Sequence, residues 1–318
     1  MDLLSLLLIL GGLFVGWCIG ANDAANCVGI SVGAGILRYR KAAIIVGILA
    51  IAGATLQGSA SMATIGKGII DPSAITLVAT ISALFGAALT ITIFTLLSLP
   101  ISTTQSIIGA IAGIGIIMTK PINWSVFFKI FGWGFGSFAV SLLISYFIYK
   151  FISRLFSRGK FIVIEKGITI LVILSGAFLA YSLGANNMGN AMGLVVGNNL
   201  MGSALAGLTG GIALAFGASI FGIKVMHTIG TKITALDAKM AFSAQLGAAI
   251  IVFILALIGI PTSITFAIVG GILGVGLVKG VASVDKTTLR SITLGWVITP
   301  IIGALFAIML LKLFTFLF

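Results

Sequence analysis

The stretch Gly20-Ala21-Asn22-Asp23-Ala24-Ala25-Asn26 places one carboxylate and two amides inside an otherwise apolar segment of this sequence. Its pattern returns about 164 residues later, as Gly184-Ala185-Asn186-Asn187-Met188-Gly189-Asn190. An amide or a carboxylate in an apolar environment costs several kcal/mol unless other groups satisfy it. Because the chain repeats this pattern, we expect the two stretches, called the asparagine motifs below, to build a polar site inside a membrane.

The composition supports a membrane protein. The 318 residues are 60% hydrophobic and only 8% charged, with a mean hydropathy of +1.29, whereas soluble domains carry about 25% charged residues. Apolar stretches of about 20 residues, the length needed to span a bilayer, recur along the chain. We interpret the net charge of +12 as the positive bias of cytoplasmic loops rather than as a nucleic-acid surface.

The duplication extends beyond the asparagine motifs. Pro100-Ile101-Ser102-Thr103-Thr104 resembles Pro261-Thr262-Ser263-Ile264-Thr265, and Gly132-Trp133 matches Gly295-Trp296 at a similar offset. The sequence therefore predicts two repeats, residues 1–150 and 166–318, joined by a short basic cytoplasmic linker at 151–165.

Each repeat is expected to contain a re-entrant hairpin, at about 76–118 and 239–278, with its proline at the tip. A proline flanked by Ser and Thr is a poor loop between full spans and a good helix break. The hairpin arms are near 20 residues long, so the alternative of two full spans per hairpin stays open. The remaining spans are predicted at about 3–37, 42–60, 124–149, 166–199, 204–222 and 290–314.

The distribution of Lys and Arg predicts the orientation of these spans. With the N-terminus outside, all but four of the 18 basic residues lie on the inner side, the exceptions being Lys67, Lys120, Lys129 and Lys312. The first repeat then starts outside and the second inside. The sequence thus predicts an all-α polytopic protein of the cell membrane with two inverted-topology repeats, broken helices, and both termini outside. Inverted repeats with polar breaks at mid-depth are typical of secondary transporters.

The two proline segments carry hydroxyl side chains where new helices would begin: Ser102, Thr103 and Thr104 in one, Thr262, Ser263 and Thr265 in the other. Hydroxyls there cap free N–H groups, and the same N–H groups and the positive helix dipole can hold an anion. Gln105 adds an amide donor on the first side only. Capping alone is the alternative, but the symmetric duplication favours an oxyanion site.

The asparagine motifs carry the groups that suit a hard cation. Asp23, Asn26, Asn187 and Asn190 offer carboxylate and amide oxygens. The neighbouring glycines and alanines allow close backbone approach and local unwinding, which would free backbone oxygens. The alternative is that the amides merely bind helices together. Neither the motifs nor the proline segments contain Lys or Arg. A divalent oxyanion held by dipoles alone would stay uncompensated, so cations bound beside it, as in a symporter, are expected.

At these residues the chain resembles the inorganic phosphate transporter (PiT) family of phosphate:cation symporters. The resemblance implies inorganic phosphate as substrate, coupling to Na⁺ or H⁺, and a site shared by the two halves. We therefore expect import of phosphate with sodium by alternating access. The expected phosphate contacts are Ser102, Thr103, Thr104, Gln105, Thr262, Ser263, Thr265, Asn22 and Asn186, and the expected sodium ligands are Asp23, Asn26, Asn187 and Asn190.

Several alternatives remain at this stage. Within the same class, the chain would be a proton-coupled phosphate permease or a sulfate permease. An anion channel would need a continuous charged or carbonyl-lined pore, and a phosphate-ester enzyme would need histidines or paired carboxylates that the motifs lack. We expect no enzyme activity and no cofactor other than the transported sodium. The glycine-rich faces also predict a possible homodimer.

Overall fold

The protein is all-helical in the part that the structure, a computed structural model, describes: residues 2–155, 161–227, 236–280 and 286–317. This confirms the predicted all-α class. The described helices are α1 (Leu3–Gly33), α2 (Tyr39–Gln57), α3 (Ser59–Lys67), α4 (Leu77–Leu96), α5 (Thr103–Ile117), α6 (Trp124–Leu155), α7 (Phe161–Gly197), α8 (Ser203–His227), α9 (Ala238–Leu257), α10 (Ile264–Lys279) and α11 (Lys286–Leu317), with a single 3-10 turn at Pro72–Ala74.

Eight helices among the described residues are long and apolar enough to cross a membrane, namely α1, α2, α4, α6, α7, α8, α9 and α11. The apolar helices α5 and α10 are shorter, at 15 and 16 residues. In α9, 72% of the most apolar 18-residue stretch is buried inside the protein, whereas the share is only 22% in α6 and in α11. Because α6 and α11 also expose large apolar side chains such as Phe147 and Leu305, they face lipid while α9 lies inside.

The two segments predicted as hairpins each form a pair of helices around a proline loop. The first helix pair is α4 and α5, and Pro100 lies between them; the second is α9 and α10, and Pro261 lies between them. The predicted linker at 151–165 is partly helical, because α6 continues to Leu155 and α7 begins at Phe161. Residues 156–160, between them, lie outside the described residues.

The helices divide into a central group and two flanking units. Helices α1, α2, α3, α7 and α8 pack on one another in the centre. The first helix pair packs on α1 and on α11, whereas the second packs on α7 and on α6. Each pair therefore contacts the long last helix of the opposite half of the chain, which ties the halves together around the asparagine motifs of α1 and α7.

Glycine lets the central helices approach until their backbones touch. A Cβ atom on Gly20 would collide with the carbonyl oxygen of Leu214, and one on Gly217 with that of Trp17, so α1 and α8 contact through both glycines. Gly53 and Gly184 make the equivalent contact between α2 and α7. These glycines thus pack inside the chain, and the homodimer inferred from glycine-rich faces stays a prediction.

Of the two expectations for the glycines of the asparagine motifs, close backbone approach is confirmed and local unwinding is wrong. Helix α1 runs without a break through residues 20–26, and α7 runs unbroken through 184–190. The glycines there admit the backbones of α8 and α2 instead of opening the helix. In consequence the motifs present side chains rather than freed backbone oxygens, and the polar backbone at this depth belongs to the two proline loops.

Candidate functional site

The candidate site forms where the asparagine motifs of α1 and α7 meet two loop segments, the first tip (residues 97–104) and the second tip (residues 258–265). All thirteen residues predicted for the site come together here, and none is more than 2% exposed. Polar groups at this depth need partners within the protein, and the partners follow a pattern that repeats between the two halves.

The first asparagine of each motif holds the proline loop of its own half. Asn22 donates from Nδ2 to the carbonyl of Leu99 (3.2 Å), and its Oδ1 accepts from the Ile101 amide (3.3 Å), so it bridges both sides of Pro100. Asn186 bridges Pro261 in the same way, through Ile260 O (3.2 Å) and the Thr262 amide (2.8 Å). Both ends of each side-chain amide are therefore engaged with tip backbone rather than directed at a ligand.

The last asparagine of each motif reaches across to the opposite half. Asn26 donates to Thr265 Oγ1 (2.8 Å), and that hydroxyl donates to Ile101 O (2.8 Å). Asn190 donates to Thr104 Oγ1 (2.8 Å), and Thr104 donates to Thr262 O (2.9 Å). Each threonine thus bonds the residue after the opposite proline, and the two tips are locked to each other as well as to α1 and α7.

Asp23 lies at the centre of this arrangement. Its Oδ2 accepts hydrogen bonds from Thr103 Oγ1 (2.6 Å) and Asn187 Nδ2 (2.7 Å), and its Oδ1 lies 3.4 Å from Thr265 Oγ1. The carboxylate therefore contacts both tips and the opposite motif. Asn187 occupies the matching place in the second half, so the site is nearly symmetric in shape but carries one carboxylate.

Three amide oxygens of the predicted sodium ligands have no hydrogen-bond partner: Asn26 Oδ1, Asn187 Oδ1 and Asn190 Oδ1. Each belongs to an amide whose nitrogen is bonded to a threonine hydroxyl or to Asp23. Buried oxygens without donors are costly, and oxygens beside a carboxylate are what hard cations select. The residues predicted as sodium ligands thus present an acceptor-rich surface that fits a cation.

A second group of unpartnered atoms contains three hydrogen-bond donors and one further amide oxygen, Gln105 Oε1. Both polar atoms of Gln105, the Ser263 hydroxyl and the Trp296 indole N–H are buried without partners. The Gln105 amide lies against Gly134 of α6, close to Phe266. Phe266 in turn stacks on Trp296, with ring centroids 3.8 Å apart. Hydrogen-bond donors near two helix N-termini, beside stacked aromatic rings, are suited to an oxyanion.

Two buried polar residues next to the site, Gln245 and Ser137, are not among those predicted from the sequence. Gln245 of α9 donates to Cys27 O (2.8 Å) and Ser31 Oγ (2.7 Å) and accepts from Ser175, so it joins α9 to α1 and α7. Ser137 of α6 lies 3.2 Å from Thr262 Oγ1. An amide within the long apolar run of α9 was the available signal for Gln245, whereas a serine in a membrane helix gives no such signal.

Comparisons with known proteins agree on one family. The model of the phosphate transporter family matches residues 19–307. A candidate phosphate permease of Pyrococcus furiosus is 31% identical over 94% of this chain and 93% of its own length, and one of Haemophilus influenzae is 30% identical over 94% of each. A solved structure described as the sodium-dependent phosphate transporter superposes with a TM-score of 0.91 at 25% identity, covering both chains completely.

Proposed function

This chain belongs to the phosphate transporter family, and we propose that it imports inorganic phosphate together with sodium ions by alternating access. The observation that carries this proposal is the set of hydrogen-bond contacts by which Asp23 of the first asparagine motif joins both tips and the second motif. A site shared by two halves can open to one side when one half moves and to the other side when its counterpart moves.

We assign the cation to the acceptor side of this site. Asp23 supplies a carboxylate, and Asn26, Asn187 and Asn190 supply three amide oxygens without other partners. The solved relative at 25% identity is described as sodium-dependent, which favours Na⁺. Oxygen ligands without thiol or imidazole suit a hard cation of this kind.

We assign the phosphate to the tips. Ser102 Oγ caps α5 by accepting from the backbone N–H of Gln105 (3.1 Å), while Ser263 precedes α10 and makes no such bond. The hydroxyls of Thr104 and Thr265 now join the two tips, that of Thr103 bonds Asp23, and that of Thr262 bonds α6. In the bound state these four hydroxyls would turn to the oxyanion. Asn22 and Asn186, expected to contact phosphate, are better placed to hold the tip backbone in shape. The hydrogen bonds that the structure gives this site include none from Lys or Arg. Cations bound beside the phosphate are therefore needed to offset its negative charge.

The same proposal includes re-entrant hairpins in inverted repeats. Helices of 15 and 16 residues are about 22–24 Å long, shorter than the roughly 30 Å of the hydrocarbon core. The halves also follow the same helix order, with long α1 and α7 first and long α6 and α11 last. The excess of Lys and Arg on one side supports a cell-membrane orientation with both termini outside.

A proton-coupled phosphate permease is the second candidate, and one observation favours it. Asp23 is a buried carboxylate surrounded by hydroxyl and amide groups, and such intramembrane acids also serve in proton relays. In that case a proton on Asp23 would take the part of the sodium ion, while the phosphate contacts would stay the same.

Uptake of radiolabelled phosphate into proteoliposomes tests the proposal. With an inward Na⁺ gradient we expect concentrative, saturable uptake that is lost when K⁺ replaces Na⁺ and that excess sulfate does not inhibit. Uptake driven by a proton gradient without Na⁺ would select the second candidate. Absence of phosphate uptake under either gradient, or strong inhibition by sulfate, would contradict the proposed substrate.

A further inference from the structure

The buried face of α6 is a polar stripe. Gly134, Ser137, Ser141, Ser145 and Tyr149 follow one another every three or four residues, so they lie on one side of the helix. The three serines are completely buried. From Ser137 to Tyr149 the stripe is about 18 Å long, at 1.5 Å per residue.

The second helix pair presents glycine to this stripe. A Cβ atom on Gly247 of α9 would collide with Ser145 Oγ, and one on Gly271 of α10 would lie 3.1 Å from it. Gly270 and Gly274 bring α10 equally close to the α6 backbone at Phe138 and Leu142. Backbone and hydroxyl groups therefore meet along this stretch, which we call the serine seam, and the rings of Phe135 and Phe266 pack on each other near its start.

Two hydroxyls in the seam lack hydrogen-bond partners. Ser141 Oγ and Ser145 Oγ are buried and make no hydrogen bond. A buried hydroxyl normally finds a partner, and a serine in a tight helix contact could be replaced by alanine without loss of packing. Two unpartnered hydroxyls in succession therefore indicate groups that are used in another state of the protein, when water or an ion is beside them.

The seam begins at the candidate site and runs toward the predicted inner side. At its upper end Thr262 Oγ1 contacts Ser137 Oγ (3.2 Å) and the Trp133 carbonyl (3.1 Å), and the Gln105 amide lies against Gly134. Below Tyr149 come Lys150 and Arg154, which the positive-inside bias places at the cytoplasmic side. The seam thus connects the tips to the inner end of α6.

The contact between α11 and the first helix pair differs from the seam. Helix α11 meets the first helix pair through Pro300 at Gly109, Ala304 at Gly113 and Ala307 at Gly86. Glycines occur on the pair in both halves. The buried hydroxyl of α11, Thr299, donates to the Gly295 carbonyl of its own helix, whereas Ser141 and Ser145 of α6 have no partner. Among the described residues the contact of α11 with the first helix pair therefore offers no unpartnered hydroxyl, and the two contacts differ in how readily water could enter when they separate.

We propose that the serine seam is the inward release route for phosphate and its cation. When the second helix pair moves away from α6, the hydroxyls of Ser141 and Ser145 line a wetted path from Thr262 to the cytoplasmic side. A hydroxyl both donates and accepts hydrogen bonds, so the same path serves an oxyanion and a cation. This inference rests on the proposed transport function and adds the route by which the ions leave.

Thiol labelling in oriented membrane vesicles tests the route. S141C and S145C are compared with A304C and A307C, the small residues that face the first helix pair from α11. A membrane-impermeant methanethiosulfonate is added from the inner or the outer side, with sodium and phosphate present for turnover. The parent protein is the blank, because Cys18 and Cys27 are buried. A thiol in a dry contact is unreactive, so S141C and S145C are expected to react from the inner side at least about tenfold faster than the α11 variants.

Three results would overturn the proposal: equal rates at the α11 positions, labelling from the outer side, or unlabelled S141C and S145C in protein that still transports. S141A and S145A give a second test if a cysteine variant fails to fold. They are expected to slow maximal uptake severalfold without changing KM, and unchanged maximal uptake in both would count against the route. A parent protein that takes up no phosphate contradicts the proposed function instead, so the two failures are distinguishable.

Discussion

Replacing Asp23 by Asn is expected to abolish sodium-driven phosphate uptake while leaving the protein folded. Asparagine has the same shape, and its Oδ1 can keep the hydrogen bonds from Thr103 and Asn187, with its Nδ2 turned to Thr265. What disappears is the one carboxylate among the motif side chains. Losing the charged partner of a buried cation costs about 2–5 kcal/mol, which corresponds to roughly a 30-fold to several-thousandfold loss of affinity.

The measurement is initial uptake in proteoliposomes at several Na⁺ concentrations, with Asp71→Asn as the matched control. Asp71 is an exposed carboxylate bonded to Ser73, whose hydrogen bonds hold the pKa of Asp71 below its usual range, and it lies outside the site. The control is expected to transport like the parent. Sodium-dependent uptake by D23N at the parental rate would remove Asp23 from the mechanism.

Replacing Asn186 by Ala is expected to have the second largest effect. The change leaves two backbone groups of the second tip, Ile260 O and Thr262 N–H, buried without a partner. Each such group costs about 1–3 kcal/mol, so the tip is expected to lose its shape and uptake to fall by at least about tenfold. Asn22→Ala should act in the same way on the first tip, through Leu99 and Ile101.

Asn198→Ala is the matched control for this prediction. Asn198 follows α7, and the side-chain hydrogen bond that the structure gives it goes to Leu194 O, away from both tips. Uptake and the amount of folded protein in the membrane are measured for all three variants. If N186A transports as well as N198A, the tips do not depend on their asparagine supports.

Much of the helical framework could be predicted from local sequence. The first predicted hairpin starts at 76, and Thr76 does cap α4, accepting from the Ala79 amide (3.2 Å). The second predicted hairpin starts at 239, and α9 begins at Ala238 after the capping residue Asp237. Apolar run length, proline and capping residues act within a few positions of themselves, which is why helix starts such as these can be predicted, while the re-entrant hairpins stay a prediction. The predicted unwinding of the motifs is wrong. A glycine can either open its helix or let a neighbouring helix approach, and a helix far away in sequence decides which of the two occurs.

The sequence predicts which residues form the candidate site, but not which of their side chains hydrogen-bond to one another. Asn26 bonds Thr265 and Asn190 bonds Thr104, each across the two halves, and no periodicity in one segment shows which tip it will meet. Asn22 and Asn186 were assigned to the substrate, whereas the structure engages them with loop backbone. The serine seam could not be predicted from the sequence of α6, because it depends on the glycines of the second helix pair that face the serines.

Phosphate binding measured against sodium concentration tests the central claim, a shared site in which cation and phosphate stabilise each other. Coupled ligands change one another's affinity by the same factor, typically about 5- to 150-fold. For the purified protein at fixed pH, we predict that the Kd for phosphate falls at least about tenfold between sodium-free buffer and saturating Na⁺, and that D23N loses this dependence. A phosphate Kd that is the same at every sodium concentration in the parent protein would contradict the account.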